Sequence, residues 1–217
     1  MHSRGGRPRT APTRTLRRRS DEGRPPVSGA YPIAAMAVLQ VYKFPHPVLK
    51  QPAKPVTRFD DELRQLADQM LETMYAEGGI GLAANQVGQL KRLLVMDLHA
   101  EDDESLPEGE KLPRLARPPE PQVFCNPRLL ESSGETVTEE GCLSVTEFTA
   151  EVKRARRIVV AYQTLDREER EEEFEDLAAV CLQHEMDHLA GKLFIDHLPP
   201  LRRQMVRKRL AKLAQSA

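Results

Sequence analysis

Between residues 60 and 76 the apolar positions Leu63, Leu66, Met70 and Met74 recur three and four apart, a spacing that gathers them on one helix face. Asp60 or Asp61 can cap the start, because a short carboxylate accepts from the free N–H groups of a first turn. Gly78-Gly79 ends the helix. Farther along, the pattern shortens. Arg92–Leu98 and Gln122–Leu130 predict strands, and Val152–Leu165 with Glu168–Phe174 predicts a strand pair turning at Asp166-Arg167. Leu177-Ala178-Ala179-Val180-Cys181-Leu182 is apolar all round, which predicts a helix sunk in the core, capped by Asp176 and closed near Gly191. A last segment, Leu201–Gln215, is helix-forming and basic, with Val206, Leu210 and Leu213 on one side. Ahead of all these, Val38–Pro55 is punctuated by prolines and predicts an extended wrapping strap. Strands followed by a buried helix, with helices before and after, predict an α+β fold: antiparallel strands packed around a buried central helix, with a C-terminal helix.

Two stretches fall outside this pattern. Residues 1–35 hold eight arginines against two acids and show no apolar periodicity, which predicts a disordered arm. That arm has three readings: an organellar transit peptide, a tail for anionic polymers, or an extension upstream of a functional domain spanning 36–217. Residues 99–121, rich in acids and prolines, predict a flexible solvated loop without a catalytic role. The overall charge of −1 therefore hides a body near −7 once the arm's eight bases and two acids are set aside. At 40% hydrophobic the body is globular. No apolar run approaches the roughly 18 residues of a membrane span. Three cysteines are too few and too scattered for a disulfide framework, and Cys125 and Cys181 read as core residues. Nothing in the chain points to a nucleic-acid substrate.

The chemistry is concentrated in Gln183-His184-Glu185-Met186-Asp187-His188. Two histidines four apart lie one above the other on a helix and can share a metal ion, with Glu185 beside them to handle the proton of a water on that ion. Some zinc proteases extend this motif to a third histidine after a glycine. Here Gly191 is present, but the ligand position holds Phe194, and no acid beyond Asp196 can substitute. The third ligand must come from upstream. Two segments there draw notice: Gly79-Ile80-Gly81-Leu82-Ala83-Ala84-Asn85-Gln86, and Glu140-Gly141-Cys142-Leu143-Ser144, where Gly141 permits close backbone approach beside a cysteine.

With these three segments in order, from about Met36 onward, the chain resembles the peptide deformylases, whose defining patterns are G-x-G-x-A-A-x-Q, E-G-C-x-S and Q-H-E-x-D-H. Family members usually begin near the position of Met36. The resemblance implies metal ligands Cys142, His184 and His188, with Glu185 as general base and then general acid. It implies that the Gln86 side-chain amide and the Leu143 backbone N–H stabilise the oxyanion. Substrate contacts would come from the backbone at Gly81 and Gly141, and the methionine pocket from Ile80, Leu177, Val180 and His184. The reaction implied is removal of the formyl group from N-formylmethionyl nascent peptides. The implied cofactor is one divalent ion, natively Fe2+, although a Cys/His₂ set also suits Zn2+, Ni2+ or Co2+. Residence would be cytoplasmic and bacterial-type, or organellar if residues 1–35 are a transit peptide. The basic C-terminal helix would dock on the ribosome through Arg202, Arg203, Arg207, Lys208 and Arg209, or else serve as a solubilising tail. One departure is Thr146 after Val145, where many members have proline; it bears on preference beyond the methionine. Two rivals remain: a metallopeptidase cutting internal bonds, which activity on unformylated peptides would reveal, and a non-enzymatic ribosome-associated protein of the same fold.

Overall fold

The run Leu93-Leu94-Val95-Met96 does not alternate apolar with polar because both faces of its strand are covered. The computed structural model describes residues 38–98 and 120–214. Among them the strands are β1 (Gly81–Ala83), β2 (Leu93–Met96), β3 (Gln122–Ser133), β4 (Thr136–Cys142), β5 (Val145–Arg154), β6 (Arg157–Gln163) and β7 (Glu169–Glu175). The α-helices are α1 (Asp61–Ala76), α2 (Asp176–Leu189) and α3 (Pro200–Ala214). On β2, Leu93 and Val95 pack with Leu63, Leu66, Met70 and Met74 of α1. Leu94 and Met96 belong to a second cluster with Phe124, Phe174, and Leu182 and Leu189 of α2. A strand buried on both faces reads as a continuous apolar run.

Among the described residues all pairs of these strands are antiparallel, in a five-stranded sheet of order β1-β2-β3-β6-β7 and a separate β4-β5 hairpin. The predicted strand Val152–Leu165 is two strands. β5 ends at Arg154 in the hairpin, and β6 starts at Arg157 in the other sheet. The break falls within the basic run Lys153-Arg154-Ala155-Arg156-Arg157, which interrupts the apolar pattern, so the single-strand reading passed over a local signal.

Helix α1 follows its sequence signals closely. The Asp60 carboxylate accepts from Leu63 N at 3.2 Å. At the far end Gly78, with φ of 76°, takes the left-handed conformation, and Gly79 N bonds Met74 O at 2.9 Å, closing a Schellman turn. Helix α2 departs from expectation at its start. Asp176 is its first residue rather than its cap, and its carboxylate accepts from Arg156 at 2.8 Å instead of from the helix. Leu177 is 43% exposed, so the apolar first turns are not buried all round. Gly191 closes the helix as expected, with φ of 72° and its N–H bonded to His188 O at 2.9 Å.

Helix α3 buries Val206 and Leu210 against Leu193, Phe194 and Ile195, whereas Leu213 is exposed rather than sharing that face. The strap is extended as predicted, apart from a short 3-10 turn at Pro47–Lys50, and it is stitched to the body by Lys54 N to Leu90 O and Arg92 N to Lys54 O. The arm 1–35 and residues 99–119 of the predicted loop lie outside the described residues. No described helix is long and apolar enough to cross a membrane.

Candidate metal centre and substrate cleft

Three donor atoms from two elements converge. Cys142 ends β4, at a two-residue turn before β5, while His184 and His188 lie one turn apart on α2. His188 Nε2 is 3.2 Å from both His184 Nε2 and Cys142 Sγ. Tetrahedral ligands bound at ordinary Zn–N and Zn–S lengths stand roughly 3.3–3.6 Å apart, so this triangle is the size that a divalent transition ion spans. Among the described residues these three form the only such metal-capable cluster. The donors' chemistry fits too: one thiolate and two imidazoles, with His188 fully buried and His184 at the edge of the cleft.

The orientation of His184 is fixed from behind. Its Nδ1 lies 2.8 Å from Glu140 Oε2, which turns Nε2 toward Cys142 and His188. Glu140 in turn accepts from Arg154 through both oxygens, at 2.7 and 3.0 Å. Arg154 also reaches Asp187 Oδ2 at 2.5 Å, and Asp187 meets His197 Nε2 at 2.6 Å. The inner half of this chain is almost dry, with Arg154 and Glu140 side chains 4% and 5% exposed, and it opens to solvent at His197. Burial alone would raise both acids, yet their hydrogen bonds prevail. Bonds from His184 and Arg154 hold Glu140 below its usual range, and His197 and Arg154 hold Asp187 at about 2. The two histidines separate in the opposite sense. Burial and the neighbouring His184 push His188 well down, while for His184 the bonds to Cys142 and Glu140 overcome burial and push it well up. Two imidazoles this close are not both held as imidazolium cations, because like charges repel.

Glu185 faces the cleft from the same helix. It is 4% exposed, and burial, opposed by His184 and reinforced by Glu140, lifts its carboxyl to about 7. Its Oε2 has no hydrogen-bond partner among the described residues. β1 passes directly over it. A Cβ placed on Gly81 would stand 2.6 Å from Glu185 Oε1 and 2.9 Å from Cys181 Sγ, so only glycine fits there. Gln86, in a 3-10 turn at Ala84–Val87, is locked by its Oε1 accepting from Ala83 N at 2.7 Å. Its Nε2 then points toward Ser144 Oγ at 3.3 Å and Cys142 Sγ at 3.7 Å.

A cleft of about 430 Å³ opens over these groups. Ile80, Gly81, Gln86, Gly141, Cys142, Leu143, Leu177, Val180, His184 and Glu185 all line it, and of the expected site residues only His188 does not, because it lies beneath. Cys125 is core, as read, and burial raises its thiol to about 12. Cys181 is buried but also lines the cleft, which the core reading missed. Thr146 to Thr149 do not line it; Phe148 instead stacks on Phe194 with ring centres 6.2 Å apart. Sequence reasoning also overlooked Glu140, Arg154 and Asp187. Glu140 and Asp187 sit inside the recognised segments, so a buried acid there asking for a counter-charge was a usable signal. Arg154 offered none.

A family model described as polypeptide deformylase matches residues 38–204. The chain belongs to the peptide deformylase family. It is 48% identical to the peptide deformylase of Novosphingobium aromaticivorans over 188 residues, covering 84% of this chain and the whole of that one. The Phenylobacterium zucineum peptide deformylase is likewise 48% identical, over 183 residues, with 84% of this chain and all of the relative covered. In three dimensions a Legionella pneumophila peptide deformylase superposes with a TM-score of 0.70 at 38% identity, over 82% of this chain and 96% of that one. A Synechococcus elongatus peptide deformylase, solved in complex with actinonin, gives 0.68 at 39%, over 81% and 89%. As a deformylase the chain is a metal-dependent hydrolase of protein biosynthesis, removing the N-formyl group from the formylmethionine of nascent peptides.

Proposed function

We propose that the deformylase reaction runs on Cys142, His184 and His188 as metal ligands, with Glu185 as proton carrier and Gln86 and Leu143 as oxyanion donors. The observation that carries this is the convergence of the three donor atoms at the floor of a cleft that Glu185 and Gln86 also face. A divalent ion held there would supply Lewis acidity, lowering the pKa of water and polarising the formyl carbonyl. Fe2+ is the ion we favour, on the family's usual preference; the donor set accommodates Zn2+, Ni2+ or Co2+ as well.

The protein's own groups do the rest. Glu185, lifted to about 7, sits near the operating pH where one carboxylate can both take a proton from the attacking water and return it to the leaving amine. As the formyl oxygen gains negative charge, the Gln86 amide and the Leu143 N–H meet it, each such donor contributing about 3 kcal/mol. The peptide backbone lies along Gly81 and Gly141, where no side chain obstructs it. The unbranched methionine fills the slot among Ile80, Leu177, Val180 and His184.

The deciding experiment is formate release from a formyl-Met tripeptide by protein purified without oxygen. Turnover should vanish on chelation and return with added Fe2+. Turnover that survives complete chelation, or cleavage of unformylated peptides, would sink this reading.

For a ribosome contact on α3, two of the five basic residues are already engaged within the chain. Arg203 donates to Asp196 O at 2.9 Å and Arg207 pairs with the Asp196 carboxylate. Arg202, Lys208 and Arg209 are exposed, so we place docking on those three. Triple replacement by glutamine should abolish co-sedimentation with ribosomes and leave formate release intact; undiminished co-sedimentation would remove α3 from the picture. Residence in a bacterial-type cytoplasm is part of the same proposal.

A further inference from the structure

Three consecutive residues of the strap reach the two segments that carry the oxyanion donors. Tyr42 N donates to Gln86 O at 2.8 Å, and Phe44 N donates to Ser144 O at 2.8 Å. Between them, Lys43 Nζ donates to Leu143 O, also at 2.8 Å. Lys43 lies 3.3 Å from Glu77 as well, at the end of α1 just before the Gly78-Gly79 wall of the cleft. The walls also meet directly, since a Cβ on Gly79 would stand 2.9 Å from Leu143 Cδ1.

We infer that Lys43 is a positioning residue for deformylation, holding the Leu143 turn so that its N–H stays aimed into the cleft. The inference rests on the deformylase reading and on the role proposed for Leu143. Leu143 and Ser144 form the whole turn between Cys142 and Val145. With the Leu143 carbonyl held by an ammonium and the Ser144 carbonyl by Phe44 N, the turn has little freedom to rotate the Leu143 N–H away. Lys43 thus adds a charge-assisted side-chain hold to the backbone bond from Phe44. The ion pair with Glu77 is a different matter. Its side chains are 42% and 38% exposed, and such pairs contribute little. The carbonyl contact is what counts.

The test is steady-state kinetics of the metal-loaded full chain on a formyl-Met tripeptide, comparing wild type, Lys43→Met, Lys43→Arg and Glu77→Gln. Losing an oxyanion donor outright costs 10²–10³ in kcat, so misaiming one should lower kcat about tenfold in Lys43→Met. KM and bound metal per chain should not change, and Lys43→Arg should recover most of the rate. Glu77→Gln should stay within about twofold of wild type, because it removes only the exposed ion pair. A Lys43→Met enzyme with wild-type kcat would overturn the inference. So would a loss that appears in KM, or an equal loss in Glu77→Gln. A wild type inert toward formyl peptides would overturn the deformylase reading itself, and this inference with it.

Discussion

Replacing Glu185 with glutamine is expected to lower kcat for a formylmethionyl peptide by about a thousandfold while leaving bound metal per chain unchanged, since a positioned acid–base group contributes 10²–10⁴. The two halves of that expectation have separate causes. Glutamine matches glutamate in shape, and this matters because Gly81 leaves no slack: its would-be Cβ already lies 2.6 Å from Oε1. The donor triangle of Cys142, His184 and His188 does not include Glu185, so the metal should stay. What the amide cannot do is accept a proton and give it back. Formate release and metal analysis on the same preparation check both halves. A variant keeping a tenth of the wild-type rate would place the base elsewhere, and a variant that loses its metal would make Glu185 a ligand.

Arg154→Leu should be the most damaging change outside the cleft. Arg154 neutralises two acids at once, the buried Glu140 and the half-buried Asp187, through bonds of 2.5 to 3.0 Å. Leucine would take the guanidinium away from both carboxylates and put an apolar side chain in its place. Breaking a buried ion pair costs about 3–5 kcal/mol, and Glu140, 5% exposed, would keep only His184 as a partner among the described residues, while Asp187 would keep His197. Glu140 would also lose the fork that fixes both its oxygens behind His184, and removing such support behind a ligand typically weakens metal binding about 10- to 100-fold. Denaturant midpoints and chelator competition measure the two effects. Lysine at this position should fall between, keeping the charge but not the fork that spans both Glu140 oxygens. An Arg154→Leu protein with wild-type stability and metal retention would show that the network is incidental.

The sequence by itself determined whatever depends on short-range spacing. The i, i+4 step puts His184 and His188 on one face in any α-helix. The 3–4 spacing of Leu63, Leu66, Met70 and Met74 defines the buried side of α1, and Asp60 and Gly78 mark its ends through purely local backbone chemistry. The segments around Gln86, Cys142 and Glu185 were legible for the same reason, each being a compact string, and every expected cleft residue came from them or from the first turns of α2.

Tertiary structure decided everything that needs distant residues to meet. The divide between β5 and β6 was marked locally by Lys153-Arg154-Ala155-Arg156-Arg157, but that the two strands join different sheets was not. Nor could local pattern show that Asp176 would turn from capping α2 to bind Arg156, which lies 20 residues away and is brought near only by the fold. Arg154 lies 33 residues from Asp187, and Lys43 lies 100 residues from Leu143. A lone arginine or lysine carries no mark of the acid or carbonyl it will reach. Those contacts arise because burying the apolar faces of β2, α1 and α2 fixes the backbone first, and the charged side chains then take the few partners left within range.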